Sequence, residues 1–374
     1  MTSKNKTKDA IFDILRRDVF GNKPSRSKNL IHSMQKDYGD YVKSIKDLPN
    51  GINASSIANA DKCCELLLQS VGEYLDGTIS KSYITFTKAM DGIKHSLLYP
   101  RHGHGSNAFL SAFRARLDHS NSIRKRDQLF HIPISERHKI SNQRFSVEGL
   151  PCLYLSNSTY VCWEELLRPN LDDIAFSGFH TYQTTNILDL TWNNEMIVKY
   201  YESDLFDIEN DGIFNSYILT WPLIQACSYP SHPNHNFKAE YIVPRHLMEW
   251  TKNENIVEGI KYYSSRAGQP EGMANRYINY AFPLKDAKGE YCSNLSNKFL
   301  MTAPIHLSPE IKELDFQTLH QDVLSRQEML LDMDLPILNM IDFDMGSSIN
   351  YKDTHFSKLD LYLLSQQFEK LSAL

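Results

Sequence analysis

The sequence lacks several features that would place it in a known class. Its 374 residues hold only 16 glycines and 15 prolines, which excludes collagen-like and low-complexity architectures. No run approaches the roughly 18 apolar residues of a membrane-spanning helix, and the opening MTSKNKTKDAIFDILRR lacks the apolar segment of a signal peptide. We therefore expect a cytoplasmic protein without a membrane partner.

Excess positive charge and paired cysteines are also missing. Forty lysines and arginines against 45 acidic residues leave a formal net charge of −5, which argues against a dedicated nucleic-acid-binding protein. The six cysteines contain no CxxC pair, so we expect reduced, packed thiols. We expect no metal site either, because the clustered histidines lie in loops without nearby carboxylates or cysteines: His102, His104, His232 and His235.

Four common catalytic motifs do not occur. No GxGxxG follows a strand, and GxxxxGK[ST], HExxH and GxSxG are absent. These absences argue against a Rossmann domain, a P-loop nucleotide hydrolase, a zinc protease of the HExxH type and a serine hydrolase with a nucleophile elbow.

The first hundred residues are typical of helices. Apolar residues recur at three- and four-residue steps, which predicts helices over 30–45, 56–75 and 81–97, with Gly77 ending the second. Residues 1–28 are polar and basic, and we expect them to fray. The pattern predicts a helical domain over 1–100.

The pattern then changes to short β-branched and aromatic segments separated by turns. These predict strands in AFLSAFRARL, LPCLYLS, QTTNILDLT, KAEYIVP, GIKYYSS and INYAFPL, with short helices in STYVCWEELL and GIFNSYILTWPLIQAC. Because no regular βαβ period appears, we expect an α+β domain over 105–305. Residues 306–374 should form a helical tail that packs on the body through Leu361, Leu364, Phe368 and Leu371.

Polar residues interrupt the apolar segments of this middle region. They are Arg114 in a strand, Arg144 before the next strand, Tyr154 in that strand, Glu165 in the following helix and Ser264 at a later strand end. In order, spacing and context they resemble the RES domain, a family named for an arginine, a glutamate and a serine. The matching stretches are Phe113-Arg114, Arg144-Phe145 through Leu153-Tyr154-Leu155, Ser158 through Glu165, and Gly259 through Ser264 and Arg266.

The resemblance covers about 200 residues, with two departures from the family pattern. Gln143 replaces the family glycine before Arg144. Two adjacent carboxylates, Glu164 and Glu165, lie about 100° apart on the helix, so only one can point fully into a pocket. The family spacing selects Glu165, with Glu164 as the alternative.

The resemblance implies an ADP-ribosyltransferase-like domain with a mixed or antiparallel sheet, acting on NAD as substrate. Glu165 would stabilise positive charge on the ribose, as a carboxylate can. Arg114 and Arg144 would grip pyrophosphate or ribose oxygens, Tyr154 would offer its ring to nicotinamide, and Ser264 would orient the substrate by hydrogen bonding.

We therefore expect an NAD-consuming toxin in growth arrest or phage defence, acting by hydrolysis or by phosphorolysis with phosphate. Transfer of ADP-ribose to a protein is the alternative. The resemblance also implies a small antitoxin protein as partner, and self-association is compatible with the sequence.

Two other classes remain open. The N-terminal helices could form a HEPN-type bundle, whose ribonucleases use an R-x4-H element, and Arg114–His119 and Arg126–His131 have that spacing but lie outside the bundle. The second class is a RES domain that has no catalytic activity and serves only as a binding module. The basic run SIRKRDQLFHIPISERHK is predicted to be a solvated loop.

Overall fold

The protein is described here by a computed structural model. It covers residues 3–21, 24, 29–49, 54–97, 110–181, 183, 185–202, 212–232, 234–265, 277–286, 289–325, 340–344 and 347–371. The helices are α1 (Ser3–Leu15), α2 (Asp18–Gly21), α3 (Leu30–Lys46), α4 (Ala54–Leu75), α5 (Ile79–Asp91), α6 (Thr159–Glu165), α7 (Asn194–Glu202), α8 (Gly212–Ser228), α9 (Ile242–Asn253), α10 (Ser293–Lys298), α11 (Pro309–Glu313), α12 (Phe316–Ser325) and α13 (His355–Ser365).

The strands alternate with the later helices. They are β1 (Ser111–Leu117), β2 (Cys152–Ser156), β3 (Ile174–Thr181), β4 (Ile187–Asp189), β5 (Gly259–Tyr263), β6 (Ile278–Pro283), β7 (Phe299–Met301), β8 (Ile305–His306), β9 (Met340–Asp344), β10 (Ser347–Asn350) and β11 (Glu369–Lys370). Short 3₁₀ helices lie at Lys94–Ser96, Arg126–Leu129, Ile134–Lys139, Leu171–Asp173, Ala239–Tyr241 and Tyr351–Asp353. The prediction of an α+β protein is confirmed.

The chain divides into two compact units. Unit 1 contains Met1–Tyr99, Gln143–Ser146 and Leu188–Ile256, and unit 2 contains Pro100–Asn142, Val147–Ile187 and Val257–Leu374. This division differs from the sequence-based segmentation, because residues 188–256 join the N-terminal helices. Apolar faces of α8 and α9 pack against α4, which the local pattern of these segments does not encode.

Unit 1 contains the predicted N-terminal helices. The helices predicted over 30–45 and 56–75 correspond to α3 and α4, and the one over 81–97 ends earlier, as α5 and a 3₁₀ turn. Gly77 has a φ of 82° and follows α4, as a glycine that ends a helix does. The expected fraying of residues 1–28 is wrong for α1, whose Ile11 and Leu15 are buried.

Helix α8 contains Pro222, which removes a backbone donor inside the helix. The carbonyl four residues earlier, on Ile218, thereby loses its usual partner. The hydroxyl of Tyr41 donates to that carbonyl at 2.6 Å. The ring of Tyr41 also stacks on Trp221, with centroids 4.0 Å apart. The tyrosine of α3 thus compensates for the proline of α8.

The segment KAEYIVP is not a strand. Ala239–Tyr241 is a 3₁₀ helix, and α9 begins at Ile242. Pro244 lies in the first turn of α9, where its missing N–H costs no helical hydrogen bond. The β-branched residues that suggested a strand instead form part of the buried face of an amphipathic helix.

Unit 2 is organised around a sheet. The strand order is β11-β7-β3-β1-β2-β6-β5, with β8 also paired to β3, and the described pairings are antiparallel. The central strand β3 is missing from the sequence-based prediction. All eight of its residues are buried, so it has no polar alternation to reveal it. Helices α6 and α13 contribute to the core on one face of this sheet.

The C-terminal segment combines helices with strands. Leu361 and Leu364 of α13 are buried in the core of unit 2, which agrees with the prediction that the C-terminal segment packs on the body of the protein through these residues. Phe368 and Leu371 lie beyond the helix, and Glu369–Lys370 forms the edge strand β11. The predicted tail is therefore not wholly helical.

Candidate functional site

Arg114 lies in β1 of unit 2, next to the point where this strand pairs with β2. Strands β1 and β2 are aligned at one pair, Phe113 with Ser156, and Arg114 follows that pair. Its Nη1 donates to the carbonyl of Tyr154 at 2.6 Å. Its Nε is buried with no hydrogen-bond partner, and no carboxylate in the described part of the chain pairs with it. Burial, reinforced by Arg116, lowers the pKa of Arg114 to about 9. Within the described residues, this charge therefore has no counterion.

Glu165 ends helix α6 and faces the strands. Ser158 caps the start of this helix by accepting from the backbone N–H of Val161. The Oε1 atom of Glu165 accepts from the Ser264 hydroxyl and from the Asn279 amide, each at 2.7 Å. The carboxylate is therefore held by two neutral donors from different strands or strand ends.

Glu164 turns away from this cluster. Its carboxylate pairs at 2.7 Å with Arg168, which lies four residues later, just after the end of α6. The two adjacent carboxylates thus have different partners, as their separation on the helix requires. The geometry selects Glu165, and not Glu164, as the neighbour of Ser264.

Asn279 and Ser156 are site residues that sequence reasoning missed. They are opposite each other on β6 and β2, and the Ser156 hydroxyl donates to Asn279 Oδ1 at 2.7 Å. Because the Glu165 carboxylate only accepts, the amide NH₂ must point to it, and its oxygen is then available to Ser156. The available signal was a polar residue inside the otherwise apolar strand INYAFP.

The N-terminus of α6 is anchored by the C-terminal helix. Asp360 of α13 is fully buried and accepts from the backbone N–H of Thr159 at 2.8 Å and from the Tyr351 hydroxyl. Burial raises the pKa of Asp360 to about 7, against the opposing effect of these hydrogen bonds. The helix that carries Glu165 is thereby fixed at both ends by contacts within unit 2.

Arg114 and Glu165 both act on one buried thiol, that of Cys162. Burial raises the pKa of Cys162 to about 12, while the charge of Arg114 lowers it and that of Glu165 raises it. The structure therefore brings Arg114, Glu165 and Ser264 into one region of unit 2. Tyr154 contacts Arg114 through its backbone carbonyl. The predicted contact of its ring with nicotinamide stays a prediction.

Arg144 lies in unit 1 and has different contacts. Its Nη1 donates to the carbonyls of Cys227 and Tyr229, at 3.0 and 2.8 Å, at the end of α8. Its guanidinium also lies over the ring of Tyr241, 5.1 Å from the centroid. These contacts cap a helix, and the predicted role of Arg144 in substrate binding stays a prediction.

The remaining candidates are structural or lie outside the described residues. His102, His104 and Arg266 are outside them. His131 is buried, accepts from the Cys292 N–H at 2.9 Å and contacts the Ile132 carbonyl, and burial lowers its pKa to about 4. Its R-x4-H partner Arg126 pairs with Glu369 at 3.0 Å.

The described residues show neither a metal-binding cluster nor a membrane-spanning helix. They contain no cluster of three or more histidine, cysteine or acidic side chains able to hold a metal ion. Within them, no helix has the length and apolar character needed to cross a membrane. All six cysteines are free and buried, as predicted.

Comparison with known proteins gives one informative relative. No family model matches the chain. No solved structure matches it either. A Bacillus subtilis (strain 168) protein named "Putative toxin YopC" is 31% identical over 350 residues, covering 88% of this chain and 75% of that protein. At this identity and coverage, the chain belongs to the same family as the B. subtilis protein.

Proposed function

We propose that this protein is a toxin that consumes NAD by cleaving the bond between nicotinamide and ribose. The observation that carries the proposal is a carboxylate, Glu165, held by two neutral donors in the same region as the uncompensated guanidinium of Arg114. The name of the B. subtilis relative supports the toxin part. The resemblance to RES domains supports NAD as the substrate.

The chemistry suits these groups. Cleavage of this bond builds positive charge on the ribose, and nicotinamide is already cationic in NAD, so it leaves without protonation. A carboxylate fixed beside the ribose stabilises that charge most in the transition state. Glu165 would take this role, with Ser264 and Asn279 preventing its rotation away from the sugar.

Arg114 would bind the anionic part of the substrate. A guanidinium makes forked, charge-assisted hydrogen bonds with phosphate oxygens. Its buried charge has no carboxylate partner within the described chain, so a bound diphosphate would supply the missing negative charge. Ser264 donates its hydrogen bond to Glu165, which suits an orienting residue better than a nucleophile.

Product analysis tests the proposal. Purified protein is incubated with NAD, with and without inorganic phosphate, and the products are separated by chromatography and mass spectrometry. Release of nicotinamide with ADP-ribose indicates hydrolysis, and its release with phosphorylated ADP-ribose indicates phosphorolysis. In a parallel reaction with labelled NAD and a cell lysate, transfer of the label to a protein indicates ADP-ribosylation. Unchanged NAD under all conditions, with a folded sample, would remove the proposal.

The family relationship also extends the proposal to a partner. We expect a small antitoxin protein that blocks the region around Glu165. Co-expression that restores growth while leaving the toxin folded and abundant would identify such a partner.

A further inference from the structure

Strand β1 carries a second arginine on the same side as Arg114. Side chains two residues apart in a strand point to the same face, so Arg116 lies beside Arg114. Both residues are half-buried. The resemblance to RES domains assigned no role to Arg116.

The contacts of Arg116 resemble those of Arg114. Its Nη2 donates to the backbone carbonyl of Phe130 at 2.9 Å. Across the residues that the structure describes, it forms no ion pair. The acidic residue that influences it is Glu136, whose carboxylate is itself paired with Lys139 at 2.9 Å.

The two guanidiniums also repel each other. Burial lowers the pKa of both arginines, and the charge of Arg116 lowers that of Arg114 further. Arg126, an arginine of unit 2 with a side chain 26% exposed, is instead compensated by Glu369. Burying like charges without a counterion destabilises a fold, so the uncompensated pair indicates a site for an anion.

We propose that Arg114 and Arg116 together form the binding site for the diphosphate of the substrate. Two guanidiniums on one face of β1 offer several N–H donors to the several oxygens of a diphosphate, whose negative charge would offset their repulsion. The assignment to NAD rests on the proposed function, whereas the anion site rests on the contacts of the two arginines. Arg116 would contribute to binding, and Glu165 to the chemical step.

The first test uses inorganic pyrophosphate as the probe. Isothermal titration calorimetry compares the full chain with Arg116→Met and Arg116→Gln. Arg124→Gln is the matched control, because Arg124 lies nearby on the surface and contacts Asn121 and the Ile123 carbonyl. We expect pyrophosphate to bind the wild type and the control equally, and both Arg116 variants at least tenfold more weakly. Two neutral replacements of Arg116 are used so that, if one variant fails to fold, the other still tests the contribution of Arg116 to pyrophosphate binding.

Kinetics with NAD provide the second readout. Each Arg116 variant should raise KM at least tenfold and change kcat by less than twofold, because the lost contact acts on binding. Unchanged pyrophosphate affinity in a folded Arg116 variant would overturn the proposal. If the wild type binds pyrophosphate through Arg116 but leaves NAD intact, the proposed NAD cleavage fails while the anion site stands.

Discussion

Arg144 and Arg114 were predicted to bind the same substrate, yet their surroundings differ. In unit 1, Arg144 caps the carbonyls at the end of α8, where a cation is favoured by the helix dipole. In unit 2, the guanidinium of Arg114 has one carbonyl and no described carboxylate. The same residue type in an apolar segment therefore has a structural partner set in unit 1 and an incomplete one among the described residues of unit 2.

Buried acids show the same contrast. Glu73 of unit 1 accepts from Thr85 and Gln69, each at 2.7 Å, and pairs with Lys81 at 3.1 Å. These contacts, led by the hydrogen bond from Thr85, lower its pKa. Asp360 of unit 2 has hydrogen-bond donors but no cation within the described residues, and burial raises its pKa to about 7. Among the described residues of unit 2, groups of both signs thus lack a partner of opposite charge.

The largest expected effect concerns Asp360. Because its pKa is raised by folding, the native state favours the protonated acid, and stability falls as pH rises from about 4 through about 7. This contribution is on the order of 4 kcal/mol. Asp360→Asn should remove it and flatten the pH dependence of the free energy of unfolding, measured by urea denaturation at pH 5 and pH 8. Equal slopes for both proteins would contradict the assignment.

The second prediction separates the adjacent glutamates. Under the proposed function, Glu165→Gln should lower the rate of NAD cleavage about a hundredfold, roughly 3 kcal/mol, without lowering Tm, because it removes the charge that would stabilise the ribose cation. Glu164→Gln is the matched control, since the contacts of Glu164, with Arg168 and with Tyr160, lie away from Ser264. It should lower Tm and retain turnover. The opposite pattern would make Glu164 the functional acid.

The third prediction concerns unit 1. Tyr41→Phe leaves the Ile218 carbonyl without its hydroxyl partner, which should destabilise the protein by about 2 kcal/mol. Tyr38→Phe is the control, because the Pro222 carbonyl that it contacts keeps the helical N–H four residues later. Chemical denaturation should show a smaller loss for this control. Under the proposed function, neither variant should change KM for NAD in the folded protein.

The smallest expected effect concerns Asn279. Asn279→Ala removes a donor to Glu165 and, under the proposed function, should lower kcat about tenfold, roughly 1.4 kcal/mol, with KM for NAD unchanged. In a Glu165→Gln background the same substitution should cost little more, because the charge it positions is already absent. Additive losses in the double variant would indicate that Asn279 acts independently of Glu165.

Prediction from the sequence succeeded where the information was local. The helix periods of α3 and α4, the strand segments β1, β2, β5 and β6, and the turn at Gly77 all follow from patterns within about twenty residues. Prediction failed where burial erased the pattern, as in β3. It also failed for α9, whose β-branched residues suggested a strand.

The candidate site was predictable in part for the same reason. The resemblance to RES domains, which rests on residue order and spacing, identified Arg114, Glu165 and Ser264, and the fold places them in one region. The sequence could not identify Asn279 or Ser156, because their importance comes from the pairing of β2 with β6 across more than a hundred residues. It also could not separate Arg144 from Arg114.

The sequence by itself determined most local elements and the chemical groups available to the site. Side-chain periodicity and turn residues act over a few positions, and these can be read directly from the chain. Only the tertiary structure decided which charges are compensated, because a counterion or a capping carbonyl can come from any distance along the chain. In the described structure, Arg144 contacts carbonyls at a helix end, whereas Arg114 and Arg116 each contact one backbone carbonyl and pair with no described carboxylate.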